Sequence, residues 1–439
     1  MAEHPFYRLA PFIQEFIYKN EWKALRGVQV AACEAIFDTD CHLLLAASTA
    51  SGKTEAAFFP ILTELWADPP ASVGALYIGP LKALINDQFQ RLEALCEEGD
   101  IPVWKRHGDV SQTHKERMFK NPRGVLQITP ESLEALLLHR HGDLVRLFGE
   151  LRYVVIDEVH ALMRADRGGQ VLCLLERLER MAGCRPRRVG LSATIGDLEA
   201  AGRWLAGNSG RRTLAPRLAP AGTQWRLTLA HFPVSESVSD ERRTRRWKLP
   251  EALPEHTASA PELPASAPEL SAPPDTDAGS SGRLANADPG LRYVFDHTAG
   301  KKCLIFCNSR EEAEQVTNTL RQYCEANHEP ERFLIHHGNL SASYRETAEA
   351  MMKDDTLTFS TVTTATLELG IDIGRLERAF QLDAPFTVGS FLQRMGRTGR
   401  RGDPQEMWFV IREEPPEPRA PFQHHIPWKL LQAIALVQL

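Results

Sequence analysis

Short apolar runs alternate with long amphipathic stretches in this chain, and the whole rhythm occurs twice. Between residues 24 and 215 the runs lie at 42–46, 74–78, 124–128, 153–156 and 188–191. Runs of this length, spaced by helix-sized stretches, are the mark of parallel strands covered by helices on both faces. They imply a doubly wound α/β domain. The rhythm returns at 303–307, 332–335, 357–362, 379–382 and 407–411, which implies a second α/β domain. A chain of 439 residues has room for both.

The expected division is a first domain at 1–215, a connecting stretch at 216–290, a second domain at 291–415 and a tail at 416–439. Within the connection, 225–232 alternates with period two and reads as a strand leading out of the first domain. From 249 to 290 Pro, Ala, Ser and acidic residues dominate, with too few apolar side chains to offset the entropy of ordering. This segment reads as a disordered linker or surface insertion. Just before it, the basic cluster 242–248 could grip phosphates or form a solvated face.

No stretch approaches the roughly 20 apolar residues of a membrane span, and Met1-Ala2-Glu3-His4-Pro5 lacks the basic start of a secretory signal. A cytoplasmic protein with no membrane partner is expected. The eight cysteines are scattered without a C-x-x-C pair, which favours buried thiols in a reducing compartment over a metal or redox site. A formal charge of −6 excludes nucleic-acid binding through a bulk positive field. Any such contact has to be local.

Several motifs fall where strands give way to helices. Residues 47–54 end in Ser51-Gly52-Lys53-Thr54, after one apolar run and before the helical 55–59, the context a phosphate loop requires. Backbone N–H groups at the helix start would cradle phosphates, Lys53 would reach the β and γ oxygens, and the Thr54 hydroxyl would ligate Mg²⁺. The run 153–156 delivers Asp157 and Glu158 to a sheet edge. Asp157 would hold Mg²⁺ and Glu158 would polarise the attacking water. After the next run come Ser192 and Thr194, whose hydroxyls would link nucleotide state to the other domain.

With Arg310, Asp372 and the run 393–400 further on, the set resembles the superfamily 2 helicases of the DEAD/DEAH-box type, over essentially the whole chain outside the linker and the two ends. That resemblance implies two tandem RecA-like domains, ATP and Mg²⁺ as cofactors, and single-stranded or partly duplex nucleic acid as partner. Arg26-Gly27-Val28-Gln29 is similar to the family's Q motif, in which Gln29 would bind the adenine edge. The segments carrying Pro80 and Lys82, and Thr129 and Pro130, resemble its backbone-gripping motifs. In the second domain Arg310 and Gly338 would track the strand, Thr363 and Thr364 would touch phosphates, and Asp372 the ribose. Gln393, Arg397 and Arg400 lie in the counterpart of motif VI, the two arginines acting as fingers on the γ-phosphate. His160 would join Ser192 and Thr194 in coupling.

Residues 157–162 followed by 167–170, together with 367–372, look most like the Lhr-type branch, which implies 3′ to 5′ movement on single-stranded DNA. The Ski2-like branch shares part of this pattern, and 399–401 matches DEAD-box RNA helicases. An RNA helicase, or an ATP-switched binding subunit that unwinds nothing, therefore stays open. Two departures bear on the carry-over. Ala50 stands where the family has Gly, and a left-handed backbone there would cost roughly 1–2 kcal/mol. The stretch 427–437 reads as a helix apolar on more than one side, which implies a chain cut short, a split gene or a protein partner.

Overall fold

The apolar runs become strands because alternate side chains leave in opposite directions and both directions meet a core. In β1 (His42–Ala46), Leu43 and Leu45 enter one core and Leu44 the other. In β2 (Val73–Ile78), Ala75 and Tyr77 enter the first, and Val73, Leu76 and Ile78 the second. The computed structural model of the chain describes residues 4–47, 51–163, 165–193, 196–217, 224–234, 288–368, 373–399, 404–415 and 421–438. Ala50, Thr194, Asp372, Arg400, the basic cluster 242–248 and the Pro/Ala/Ser-rich segment up to 287 lie outside the described residues.

The described residues form two units, one up to 217 and the other from Gln224 onward. The first holds a parallel sheet of β1, β2, β3 (Val103–Arg106), β4 (Gly124–Ile128), β5 (Tyr153–Ile156), β6 (Arg187–Ser192) and β7 (Thr213–Leu214), in the order β3-β4-β2-β5-β6-β1-β7. Helices Pro11–Lys19, Gly27–Asp38, Lys53–Ala67 and Lys82–Cys96 supply one core. Helices Pro130–His139, Asp166–Ala182 and Leu198–Ala206 supply the other.

The second unit is also a parallel sheet. It contains β8 (Trp225–Pro233), β9 (Cys303–Phe306), β10 (Phe333–His336), β11 (Ser360–Thr363), β12 (Arg378–Leu382) and β13 (Gln405–Glu413), in the order β10-β11-β9-β12-β13-β8. The strand expected to lead out of the first domain therefore belongs to the second: β8 pairs with β13 from Gln405↔Trp225 to Glu413↔Pro233. A ladder along β13 satisfies backbone groups that an edge strand would otherwise present to solvent. Asp288 caps the helix Pro289–His297, the first described helix of the second unit.

The C-terminal helix Trp428–Gln438 packs onto this unit through Ala433 and Leu436 and is fastened by Lys429 Nζ to Asp383 Oδ2 (2.8 Å) and to the Arg412 carbonyl (2.8 Å). Trp428, Leu431 and Ile434 remain exposed. All eight cysteines are free thiols, six of them buried. Among the described residues no helix is long and apolar enough to cross a membrane.

Candidate nucleotide and nucleic-acid site

The phosphate-loop side chains gather at the carboxyl edge of β1. There Ala46 stands level with Ser192 of β6, and Ala47 N–H donates to the Ser192 carbonyl (3.1 Å). Gly52 takes a left-handed backbone (φ 81°), letting the chain turn straight into the helix Lys53–Ala67. The first-turn N–H groups of a helix point out along its axis, which makes this helix start an anion site. Lys53 Nζ donates to the Ala47 carbonyl (2.7 Å), which brings the ammonium to the end of β1.

Gln29 is fully buried on the neighbouring helix, where its Oε1 accepts from Arg26 N–H (2.9 Å). Its Nε2 has no partner among the described residues, and a side chain added at Gly52 would come within 3.1 Å of it. A buried amide donor left open beside the phosphate loop fits an adenine edge. Ser51 Oγ is buried beside it, also with no partner.

Asp157 and Glu158 follow β5, whose last residue Ile156 is level with Ile78 of β2 and Gly190 of β6. Asp157 Oδ2 accepts from Tyr77 OH (2.5 Å) and Oδ1 from Glu158 N–H (2.8 Å). Glu158 sits at φ 53°, a left-handed backbone that only a few per cent of non-glycine residues adopt. Burial, and then the Glu158 carboxylate, push the Asp157 carboxyl up to about 6, while Tyr77 and Lys53 pull the other way. Two crowded carboxylates and the Thr54 hydroxyl are hard oxygen donors, so the set fits Mg²⁺, whose charge would relieve the repulsion. Tyr77 was missed in the sequence because it sits in an apolar run; the only signal was a hydroxyl that burial obliges to find a partner.

His160 Nδ1 lies 2.8 Å from Ser192 Oγ and 3.5 Å from Glu158 Oε2. Two of the three expected coupling groups are thus brought to the carboxylates, with Thr194 outside the described residues.

At the ends of β2 and β4 the backbone-gripping candidates divide. Pro80 is buried, whereas Lys82 opens its helix half-exposed and is paired with Asp109 (2.9 Å). Thr129 directs its hydroxyl to Ser132 N–H (3.3 Å), capping the helix that Pro130 begins, so its side chain serves the fold. In the second unit the Arg310 guanidinium would lie 3.9 Å from a side chain at Gly338. Thr363, expected to touch phosphates, is fully buried with its hydroxyl donating to the His336 carbonyl (3.0 Å), because the last residue of β11 faces the core. Thr364 is nearly buried as well.

Gln393 is buried on the helix Val388–Met395. Its neighbour Arg394, which sequence reasoning passed over, is the hub of this edge. Arg394 donates to Glu368 Oε1 from Nε (2.6 Å), to Gln381 Oε1 (2.5 Å) and to Asn308 Oδ1 (3.4 Å), and stacks on Phe306. Arg397 is 3% exposed and donates to the Glu368 carbonyl (2.6 Å).

The DEAD/DEAH box helicase family model matches residues 26–201, and the helicase conserved C-terminal domain model matches 289–402, together more than half of the chain. The ATP-dependent helicase Lhr-Core of Methanothermobacter thermautotrophicus is 31% identical over 82% of this chain and 39% of that protein. The Mycobacterium smegmatis helicase Lhr, solved with ssDNA and AMP-PNP, superposes with a TM-score of 0.73 at 27% identity, over 99% of this chain and 50% of that one. DUF1998 helicase MrfA bound to DNA and AMPPNP shares the fold, with a TM-score of 0.71 at 20% identity over 98% of this chain and 53% of that one. The chain belongs to the DEAD/DEAH-box helicases of superfamily 2 and is similar to their Lhr-type members. It spans about two fifths of the length of the Lhr-Core relative.

Proposed function

We propose that this chain is an ATP-driven translocase that moves 3′ to 5′ on single-stranded nucleic acid, DNA in preference to RNA, and opens duplexes ahead of it. The observation carrying the proposal is the buried Asp157–Glu158 pair beside the Lys53 loop, held by Tyr77 and joined to Ser192 through His160. Lys53 binds the β and γ oxygens of ATP, and Gln29 selects adenine. Thr54 and Asp157 would hold Mg²⁺, whose charge would offset that of the phosphates. Glu158 orients the attacking water and takes its proton, while Arg397, with Arg400, stabilises charge on the γ-phosphate. Lys82 and Arg310 contact the sugar-phosphate backbone without reading bases, so movement is independent of sequence. The preference for DNA draws on the Lhr relative solved with ssDNA.

ATP turnover titrated with single-stranded DNA and RNA of equal length, at two salt concentrations, tests the polymer. Strand displacement on 3′- and 5′-tailed duplexes tests the direction. Equal stimulation by both polymers refutes the DNA preference, and no stimulation by either refutes the translocase.

A second reading is an ATP-switched clamp within a larger assembly. The outward Trp428, Leu431 and Ile434 favour it, as an apolar stripe suited to a protein partner. ATP turnover without strand displacement would select the clamp.

A further inference from the structure

One residue of the second unit holds two arginines by two different groups. Glu368, 6% exposed, accepts on its carboxylate from Arg394 Nε (2.6 Å) and Nη2 (2.5 Å), and on its main-chain carbonyl from Arg397 Nη2 (2.6 Å). Arg394 is itself fixed by Gln381, Asn308 and the Phe306 ring. Arg397 follows just after the helix that carries Arg394, its N–H donating to the Arg394 carbonyl (3.2 Å). The next residue, Thr398, is pinned to Glu406, whose N–H donates to the Thr398 hydroxyl (2.8 Å).

A buried ion pair is often no more stabilising than an apolar pair of the same volume, so stability is a weak account of Glu368 and Arg394. What the pair adds is geometry. The carboxylate is fixed on Arg394 and the Glu368 N–H donates to the Ala365 carbonyl (3.2 Å), so the residue is held by side chain and main chain alike where its carbonyl meets Arg397 Nη2.

We propose that Glu368 is the positioning residue for Arg397: its ion pair with Arg394 fixes the carbonyl that aims the Arg397 guanidinium for ATP hydrolysis. The inference rests on the reading of Arg397 as a group that assists hydrolysis. Glu368→Gln keeps the volume and the carbonyl but removes the charge that locks the side chain. Glu368→Asp keeps the charge on a shorter arm.

The test is a double-mutant cycle on nucleic-acid-stimulated ATP turnover, with kcat and KM measured for wild type, Glu368→Gln, Arg397→Ala and the double variant. Thermal midpoints and the affinity for AMP-PNP are measured beside them. Arg397→Ala is expected to lower kcat by about 10³-fold. Glu368→Gln should lower kcat by about tenfold or more with KM and AMP-PNP affinity within about twofold, the pattern of an interaction made in the transition state. In the Arg397→Ala background Glu368→Gln should cost nothing further.

Equal losses from Glu368→Gln with and without Arg397, or a lowered melting midpoint with kcat unchanged, would overturn the proposal and leave Glu368 a purely structural partner. If Glu368→Gln does not fold, the same cycle with Glu368→Asp decides by the same criterion. A kcat untouched by Arg397→Ala would instead refute the underlying reading of Arg397, and the inference with it.

Discussion

The two functional edges handle their polar groups in opposite ways. At the edge of the first unit, buried groups are left open: Gln29 Nε2 and Ser51 Oγ have no partner among the described residues, and Asp157 is held above the usual carboxylate range beside a second acid. At the edge of the second unit, Arg394 and Arg397 are engaged by Glu368, Gln381 and Asn308. Unsatisfied buried donors and crowded carboxylates are costly in the free protein, and a ligand that satisfies them recovers that cost on binding. The first edge is built to receive a nucleotide. The second is built to keep its cations in one place until they are needed.

The strongest test of this contrast is chemical. Glu158→Gln should lower ATP turnover by roughly 10²- to 10⁴-fold, the range for loss of a general base, with the melting midpoint unchanged. Wild-type turnover in that variant would remove the first edge from catalysis.

The next is a matter of stability. Arg394→Ala strands the buried Glu368 carboxylate and should destabilise the second unit by about 3–5 kcal/mol in urea unfolding. A loss under 1 kcal/mol would mean that the second edge is not the closed network described.

A pH effect comes third, in the strand that leads into the phosphate loop. Burial, then Arg188, Arg211 and Arg187, hold the His42 imidazole down to about 4, where it accepts from Arg188 N–H (2.9 Å) and faces Ser209 Oγ (2.6 Å). A base with a depressed folded pKa leaves the unfolded chain to take the proton first. Stability should be full above pH 6.5 and fall by roughly 2–3 kcal/mol on acidification to pH 4, short of the full shift because at that pH the folded imidazole is itself partly protonated. Unfolding at pH 7.5 and 4.5 measures it, and in His42→Asn the difference should shrink.

Smallest of all, Ser51→Ala should leave the free protein within about 1 kcal/mol of wild type, since its hydroxyl has no partner among the described residues, yet weaken ATP binding. Clear destabilisation of the free protein would show that the first edge is satisfied after all.

How much of this was legible depends on where each partner lies. The main strands announced themselves because both of their faces are buried. β3, with Trp104 and Lys105 only partly buried, carried no apolar run and passed unnoticed. Lys53, Asp157 and Glu158 were legible because a strand end beside a helix start defines their chemistry locally. Tyr77 and Arg394 were not, since each acts through residues 80 and 26 positions away. Thr129 and Thr363 resembled phosphate contacts by position in a motif, but a helix cap and an inward-facing strand end took their hydroxyls. β8 was readable as a strand, yet its partner lies 180 residues further on, a pairing that no local pattern encodes.

That last pairing changes what a cut in the chain would do. Because nine rungs join β8 to β13, a protease nick between residues 235 and 287 would not release two separate pieces. The upstream fragment would stay clasped to the downstream one by its final strand. A fragment begun at Asp288 would instead expose the bare flank of β13, an invitation to self-association. The natural place to divide the protein is ahead of Gln224.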